Sequence, residues 1–225
     1  GNDKENTDAS KLYDRIYEVI KNSPNIRGAL VHSLDEIAAV RERLPGLMII
    51  TDTQVYVHNP AAYAFLVKEN VSGITYPYEL NKKDLIRLSN EIRDDRGVEK
   101  SLVIYGYIPM MVSAGCIKKT YGACDHISEY SKHTLLNDRK GVDFIVANDC
   151  NICANIIYNE RPFSLYGMID ECRQIGADRS RICLTVEDRE ESDMILRGFI
   201  RPDQAVCKRL KELKTTTGHM KRGAL

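Results

Sequence analysis

The chain has no charge imbalance. Its 32 Lys and Arg are matched by 32 Asp and Glu over 225 residues, which argues against a general nucleic-acid-coating role and confines any basic site to a local patch. It has no apolar run long enough to span a bilayer, and the opening GNDKENTDAS lacks the pattern of a secretory signal. Common hydrolase motifs are missing too: there is no G-x-S-x-G elbow and no HExxH helix, and the five histidines do not cluster. Ser113 in MVSAGC and Cys116 are the only nucleophiles in a distinctive block, and neither has a visible base. These absences point to a globular, cytoplasmic protein with no membrane partner.

What is present is a core and an excess of thiols. Apolar residues make up 43% and charged residues 28%, enough to bury a core and too apolar for disorder. The length suits one domain. Seven cysteines are many for such a chain. Without a secretory signal they read as thiols or metal ligands rather than disulfides.

Residues 1 to 10 are polar and read as a disordered or tag-derived N-terminus; the domain runs from 11 to 225. Leu12, Ile16, Val19 and Ile20 share one face of an expected amphipathic helix. Ala29-Leu30-Val31 is a short strand, and Ser33 with Glu36 forms a capping-box pattern for a helix whose apolar face is Leu34, Ile37, Val40 and Leu44. Leu47 to Thr51 reads as a strand buried on both faces. Asn59-Pro60 opens the next helix, Val71 to Tyr76 is a strand, Asn81 caps a helix, and Leu102 to Tyr105 is a fourth strand. This alternation predicts an α/β fold with a parallel sheet. After Cys116 the rhythm breaks into a hairpin with its turn at Asp138 to Gly141, then resumes with strands at Phe163 and Arg181 and helices near Ser192 and Pro202. About five parallel strands are too few for a closed eight-stranded barrel.

Cys116, Cys124, Cys150 and Cys153 have the spacing C-x7-C-x25-C-x2-C. A CxxC unit puts two sulfurs within reach of one metal, and the hairpin is expected to bring the other pair to it. Four thiolates suit a four-iron four-sulfur cluster or a structural zinc. Lys118 and Lys119 would offset the cluster's negative charge. Cys172, Cys183 and Cys207 sit on expected apolar faces and read as core thiols.

The blocks YGYIPMMVSAGC, DRKG, NDCNICANIIYN, PFSLYG and TTGHMKRG resemble the C-terminal half of the catalytic region of the collagenase-like peptidases, family U-32, in its long clostridial branch. GALVHSLDEI, TDTQVYVHN and TYPYELNKKDL are similar to its later strands, so the resemblance covers about residues 27 to 223. It implies a partial (β/α) TIM-like barrel holding the later strands only, with a cysteine-bearing β-hairpin insert at about 116 to 153. The missing strands would lie upstream. The family name implies a peptidase, while its better-understood relatives resemble oxygen-independent hydroxylases acting on RNA or on quinone precursors. Those relatives hold a four-iron four-sulfur cluster through four cysteines. Carried over, the ligands are Cys116, Cys124, Cys150 and Cys153, although the second pair is more widely spaced in the hydroxylases.

Functional groups of parallel barrels sit at the C-terminal ends of strands. By position the catalytic candidates are Asp52, Glu79, Tyr107 and Glu187; His32 also falls at a strand end, and His58 reads as a hydrogen-bonded loop residue. His219, Lys221 and Arg222 form a local basic end that could meet phosphate or an RNA backbone. Three functions follow as expectations: an iron–sulfur enzyme module, a protease acting on collagen-like peptides, or a zinc-stabilised binding module. The expected partners are the upstream part of the barrel or a second copy of the chain, and RNA.

Overall fold

A computed structural model describes residues 13–93, 97–122, 124, 133–150 and 153–222. In chain order the elements are helix α1 (described over 13–21), then β1 (Gly28–Val31), α2 (Leu34–Arg43), β2 (Met48–Thr51), α3 (Pro60–Lys68), β3 (Gly73–Thr75), α4 (Lys82–Glu91) and β4 (Glu99–Gly106). There follow β5 (Pro109–Ser113), the single turn α5 (Ile117–Thr120), β6 (Thr134–Asn137), β7 (Asp143–Asp149), β8 (Ala154–Tyr158) and β9 (Phe163–Ser164). The chain ends with α6 (Ile169–Ile175), β10 (Arg179–Cys183), α7 (Arg189–Ile200) and α8 (Gln204–Glu212). They fall into two compact units. Unit 1 is Gly1–Leu102, Asp170–Ser180 and His219–Leu225; unit 2 is Val103–Ile169 and Arg181–Gly218.

Unit 1 is parallel α/β. Ala29 pairs with Ile49, Ile50 with Gly73 and Ile74 with Lys100, all in parallel register. The start of β10 continues the layer, since Asp178 N–H donates to Lys100 O at 2.8 Å and Lys100 N–H to Asp178 Oδ2 at 2.7 Å. Each crossover helix begins on a side-chain cap: Ser33 accepts from Glu36 N–H, Asn59 from Ala62 N–H and Asn81 from Asp84 N–H. Such caps contribute about 1 kcal/mol each. Pro60, with no N–H to lose, occupies the first helical turn. The core between sheet and helices holds Ile49, Ile74, Tyr76, Leu85 and Ile175, all essentially inaccessible. Burial of each aliphatic side chain is worth roughly 1.5–3 kcal/mol.

Two expectations about apolar faces are corrected here. In α1, Ile16 and Val19 of the expected apolar face are 43% and 62% exposed and Ile20 is half-buried, while Leu12 lies outside the described residues. In α2, Ile37 and Val40 are buried and Leu44 beyond it is buried, but Leu34, the first helical residue, is exposed.

Unit 2 is built differently. The end of β4 pairs antiparallel with β9, Tyr105 opposite Ser164 and Gly106 opposite Phe163. A separate antiparallel sheet runs in the order β5-β8-β7-β6. The expected turn at 138–141 joins β6 to β7: the Asp138 side chain accepts from Lys140 and Val142 N–H, and Gly141 takes φ +77°. β5 and β8 add two strands to that hairpin. The sequence hides β5 because Met110, Met111 and Val112 are all exposed, so no alternation marks it. Helices α7 and α8 pack Met194, Ile195, Val206 and Leu210 around Tyr105. α7 begins at Arg189, three residues before the expected start, because Asp188 and Glu191 close a reciprocal capping box.

Candidate functional site

The four cysteines of interest belong to unit 2. Ser113, at the end of β5, pairs with Asn155 in β8, and Asp149, at the end of β7, pairs with Ala154. The backbone therefore brings the segment entering Cys116 to the same end of the sheet as the 150–153 connection. Asn155 ties them: its Nδ2 donates to Gly115 O at 2.6 Å, and its side chain is fully buried. Cys116 is buried and precedes the α5 turn, Cys124 and Cys150 are half-buried, and Cys153 is exposed with φ +52°. Among the described residues no three His, Cys, Asp or Glu side chains are gathered as a metal ion would require. The segments converge while the sulfurs, as placed, do not form a closed set. The chemistry of four thiol donors suits iron–sulfur or zinc. Ser113 is engaged locally, its Oγ accepting from Gly115 N–H at 3.1 Å.

A cavity of about 400 Å³ also lies within unit 2, lined by Tyr105, Tyr107, Arg161, Glu187, Glu191 and Lys214 among others. Two of the four catalytic candidates, Tyr107 and Glu187, thus face one space. Glu187 Oε2 accepts from Thr185 N–H at 2.7 Å and from Val186 N–H at 3.1 Å, which fixes the carboxylate on the turn after β10. Among the described residues its buried Oε1 meets no partner at full hydrogen-bond geometry, although a hydrogen-bonding interaction with Glu187 contributes to the raised pKa of the Tyr105 phenol. Burial first, and the Glu187 charge second, push the Tyr105 and Tyr107 phenols above the ordinary tyrosine range. Tyr158 is also pushed up, by burial and by Glu187, against a hydrogen bond with Thr185 that favours its ionised form. All three phenols therefore stay protonated at neutral pH as neutral O–H groups. A carboxylate beside such phenols can take a proton from a substrate or hold a positive group. Sequence reading did not find Tyr158, Arg161 or Lys214; no local pattern marks them, since only the fold brings them to Glu187.

The other two candidates belong to unit 1, each beside a histidine at a strand's C-terminal end. Asp52 follows β2 and is buried; its Oδ2 lies 3.5 Å from His32 Nδ1, and its Oδ1 accepts from Thr53 N–H at 2.7 Å. His32 Nδ1 is also 3.2 Å from Gln54 Oε1. Glu79 Oε2 lies 3.9 Å from His58 Nε2, and the Tyr56 ring meets His58 edge-on at 5.5 Å. His219, Lys221 and Arg222 form an exposed turn at the end of unit 1, anchored because buried Met220 accepts from Lys82 N–H at 2.9 Å.

No helix among the described residues is long and apolar enough to cross a membrane. No curated protein and no solved structure matches the chain. The model of peptidase family U32 matches residues 4–125, just over half of the 225. The match takes in β1 to β4 and ends just past Cys124, leaving β10, Cys150, Cys153 and Glu187 beyond it. The chain belongs to peptidase family U32.

Proposed function

We propose that this chain is an iron–sulfur enzyme module in which Cys116, Cys124, Cys150 and Cys153 hold a four-iron four-sulfur cluster. The observation that carries this reading is the meeting of the Cys116 segment with the 150–153 connection, tied by Asn155, at one end of the β5-β8-β7-β6 sheet. When bound, such a cluster supplies one-electron redox chemistry. The chain's own residues handle the substrate. Glu187 Oε1 accepts a proton from the substrate in the cavity, and Tyr107 and Tyr105 orient it through neutral O–H groups. Arg161, paired with Glu160 at 3.1 Å, and Lys214 supply the positive side of the wall.

The parallel strands of unit 1 read, on this proposal, as the later strands of a TIM-like barrel, and the working compartment as a reducing cytoplasm where thiols persist. The exposed turn of His219, Lys221 and Arg222 would meet an RNA phosphate. The test is anaerobic purification with iron and sulfide analysis. About four of each per chain, with a brown chromophore lost in Cys150→Ser and Cys153→Ser, is expected. A colourless chain without iron under those conditions overturns the proposal, and stoichiometric zinc instead assigns the thiols to a structural metal.

A further inference from the structure

We infer that unit 1 carries a second ligand site, at the C-terminal ends of β1 and β2, for a small neutral molecule with an apolar body and a hydroxyl group, His32 Nε2 accepting the hydroxyl proton. This site is independent of the cysteines and of the Glu187 cavity.

The first observation is the fixed tautomer of His32. Its Nδ1 faces two acceptors, Gln54 Oε1 at 3.2 Å and Asp52 Oδ2 at 3.5 Å. A carboxylate only accepts, so Nδ1 carries the proton. Thr53 Oγ1 donates to the same Gln54 Oε1 at 3.3 Å. A neutral imidazole has one N–H, so Nε2 presents a lone pair. Nε2 has no hydrogen-bond partner among the described residues.

The second observation is the space beside it. His32 and Gln54 line a cavity of about 380 Å³ whose remaining wall is almost wholly apolar. Val57 and Leu66 at its wall are buried, at 0% and 2%. Leu34, Tyr56 and Phe65 line the same cavity and are 53%, 59% and 46% exposed. Three large apolar side chains left open around one hollow gain from a ligand that covers them.

Together these choose the ligand chemistry. The apolar wall selects an aromatic or aliphatic body of a size this volume admits. The lone acceptor selects a donor. An anion is repelled by Asp52, and an ammonium would lose its hydration against an apolar wall. A neutral hydroxyl meets both conditions.

The test titrates the whole chain with p-cresol and, separately, with toluene, following His32 ring nitrogens and the Val57 and Leu66 methyls by NMR. The expected result is saturable p-cresol binding at these residues, with toluene about tenfold weaker for want of the hydrogen bond. His32→Phe keeps an aromatic wall and should bring p-cresol down to the affinity of toluene. The His32 nitrogen shifts should report the Nδ1–H tautomer. Equal binding of the two probes, the Nε2–H tautomer, or p-cresol shifts mapping elsewhere each overturn the inference.

Discussion

Gly106, the last residue of β4, lies so close to Cys183, the last residue of β10, that a Cβ on Gly106 would come within 2.8 Å of both the Cys183 Cβ and its carbonyl oxygen. Its φ of +154° adds a conformation L side chains rarely adopt. The two strand ends can approach because nothing projects between them. Gly106 also separates Tyr105 from Tyr107, both of which line the unit 2 cavity. Gly106→Ala is expected to lower stability by about 2–3 kcal/mol, since backbone as well as side chain must shift. A urea titration that moves by less than about 0.5 kcal/mol would show that β4 and β10 can separate freely.

Gly198 in α7 plays the corresponding part between helices. A methyl there would overlap Leu210 Cδ1 in the α7–α8 core. Alanine gains about 1 kcal/mol in helix propensity, while overpacking costs about 1–3 kcal/mol. The net expectation for Gly198→Ala is a loss of roughly 0–2 kcal/mol, partly relieved when Leu210→Ala is added. A double-mutant cycle reads this directly; additive losses would mean that the two residues do not meet.

On the proposed function, Asn155 should matter to metal retention although it supplies no ligand. Its Nδ2 holds Gly115 O, one residue before Cys116. Asn155→Ala is expected to leave all four thiols in place yet reduce iron retained after anaerobic gel filtration severalfold. Unchanged iron content would remove the strap from the account of the site.

Glu187→Gln removes the charge that faces three phenols. Tyr105, Tyr107 and Tyr158 should then ionise at lower pH, closer to the ordinary tyrosine value, although burial keeps them above it. Spectrophotometric phenolate titration measures this. If the curves of the two proteins coincide, the phenols do not sense Glu187. On the proposed function the same variant loses turnover while keeping its iron.

At alkaline pH the chain should weaken. Burial pushes the Cys172 thiol up to about 11 from 9.0, with Glu171 adding to the shift. The Tyr76, Tyr105, Tyr107 and Tyr158 phenols are raised as well. Between these values the folded chain binds more protons than the unfolded one, so stability falls as pH rises. It is complete below about 9 and lost progressively from 9 through 11 and beyond. Urea midpoints measured across that range should decline, and a rising midpoint contradicts the assignment. Iodoacetamide near pH 8.5 should label exposed Cys153 well before Cys172.

Local rules carried much of the parallel half. Ser33, Asn59 and Asn81 cap where their spacing to the next apolar stripe says they should, because a cap is a contact over three residues. Asp52 and Glu79 were legible as strand-end carboxylates, yet their pairing with His32 and His58 was not, since the partners come from different loops. The antiparallel sheet was half-hidden for another reason: β5 exposes Met110, Met111 and Val112 without period. The Glu187 cavity draws on segments spread from Tyr105 to Lys214, and no window of sequence contains it. The CxxC was plain in the sequence, and the fold adds that it closes β7 onto β8.

Cys153 stands in that connection at φ +52°, a left-handed backbone it shares among described non-glycine residues only with Asn70. Asparagine tolerates that geometry through its short polar side chain; cysteine has no such excuse and forgoes roughly 1 kcal/mol that glycine would recover. Folding alone therefore favours glycine at this turn, and a thiol there is held against the backbone's own preference. On the proposed function, a relative with glycine at this position would gain the backbone's preference and lose the fourth cluster ligand.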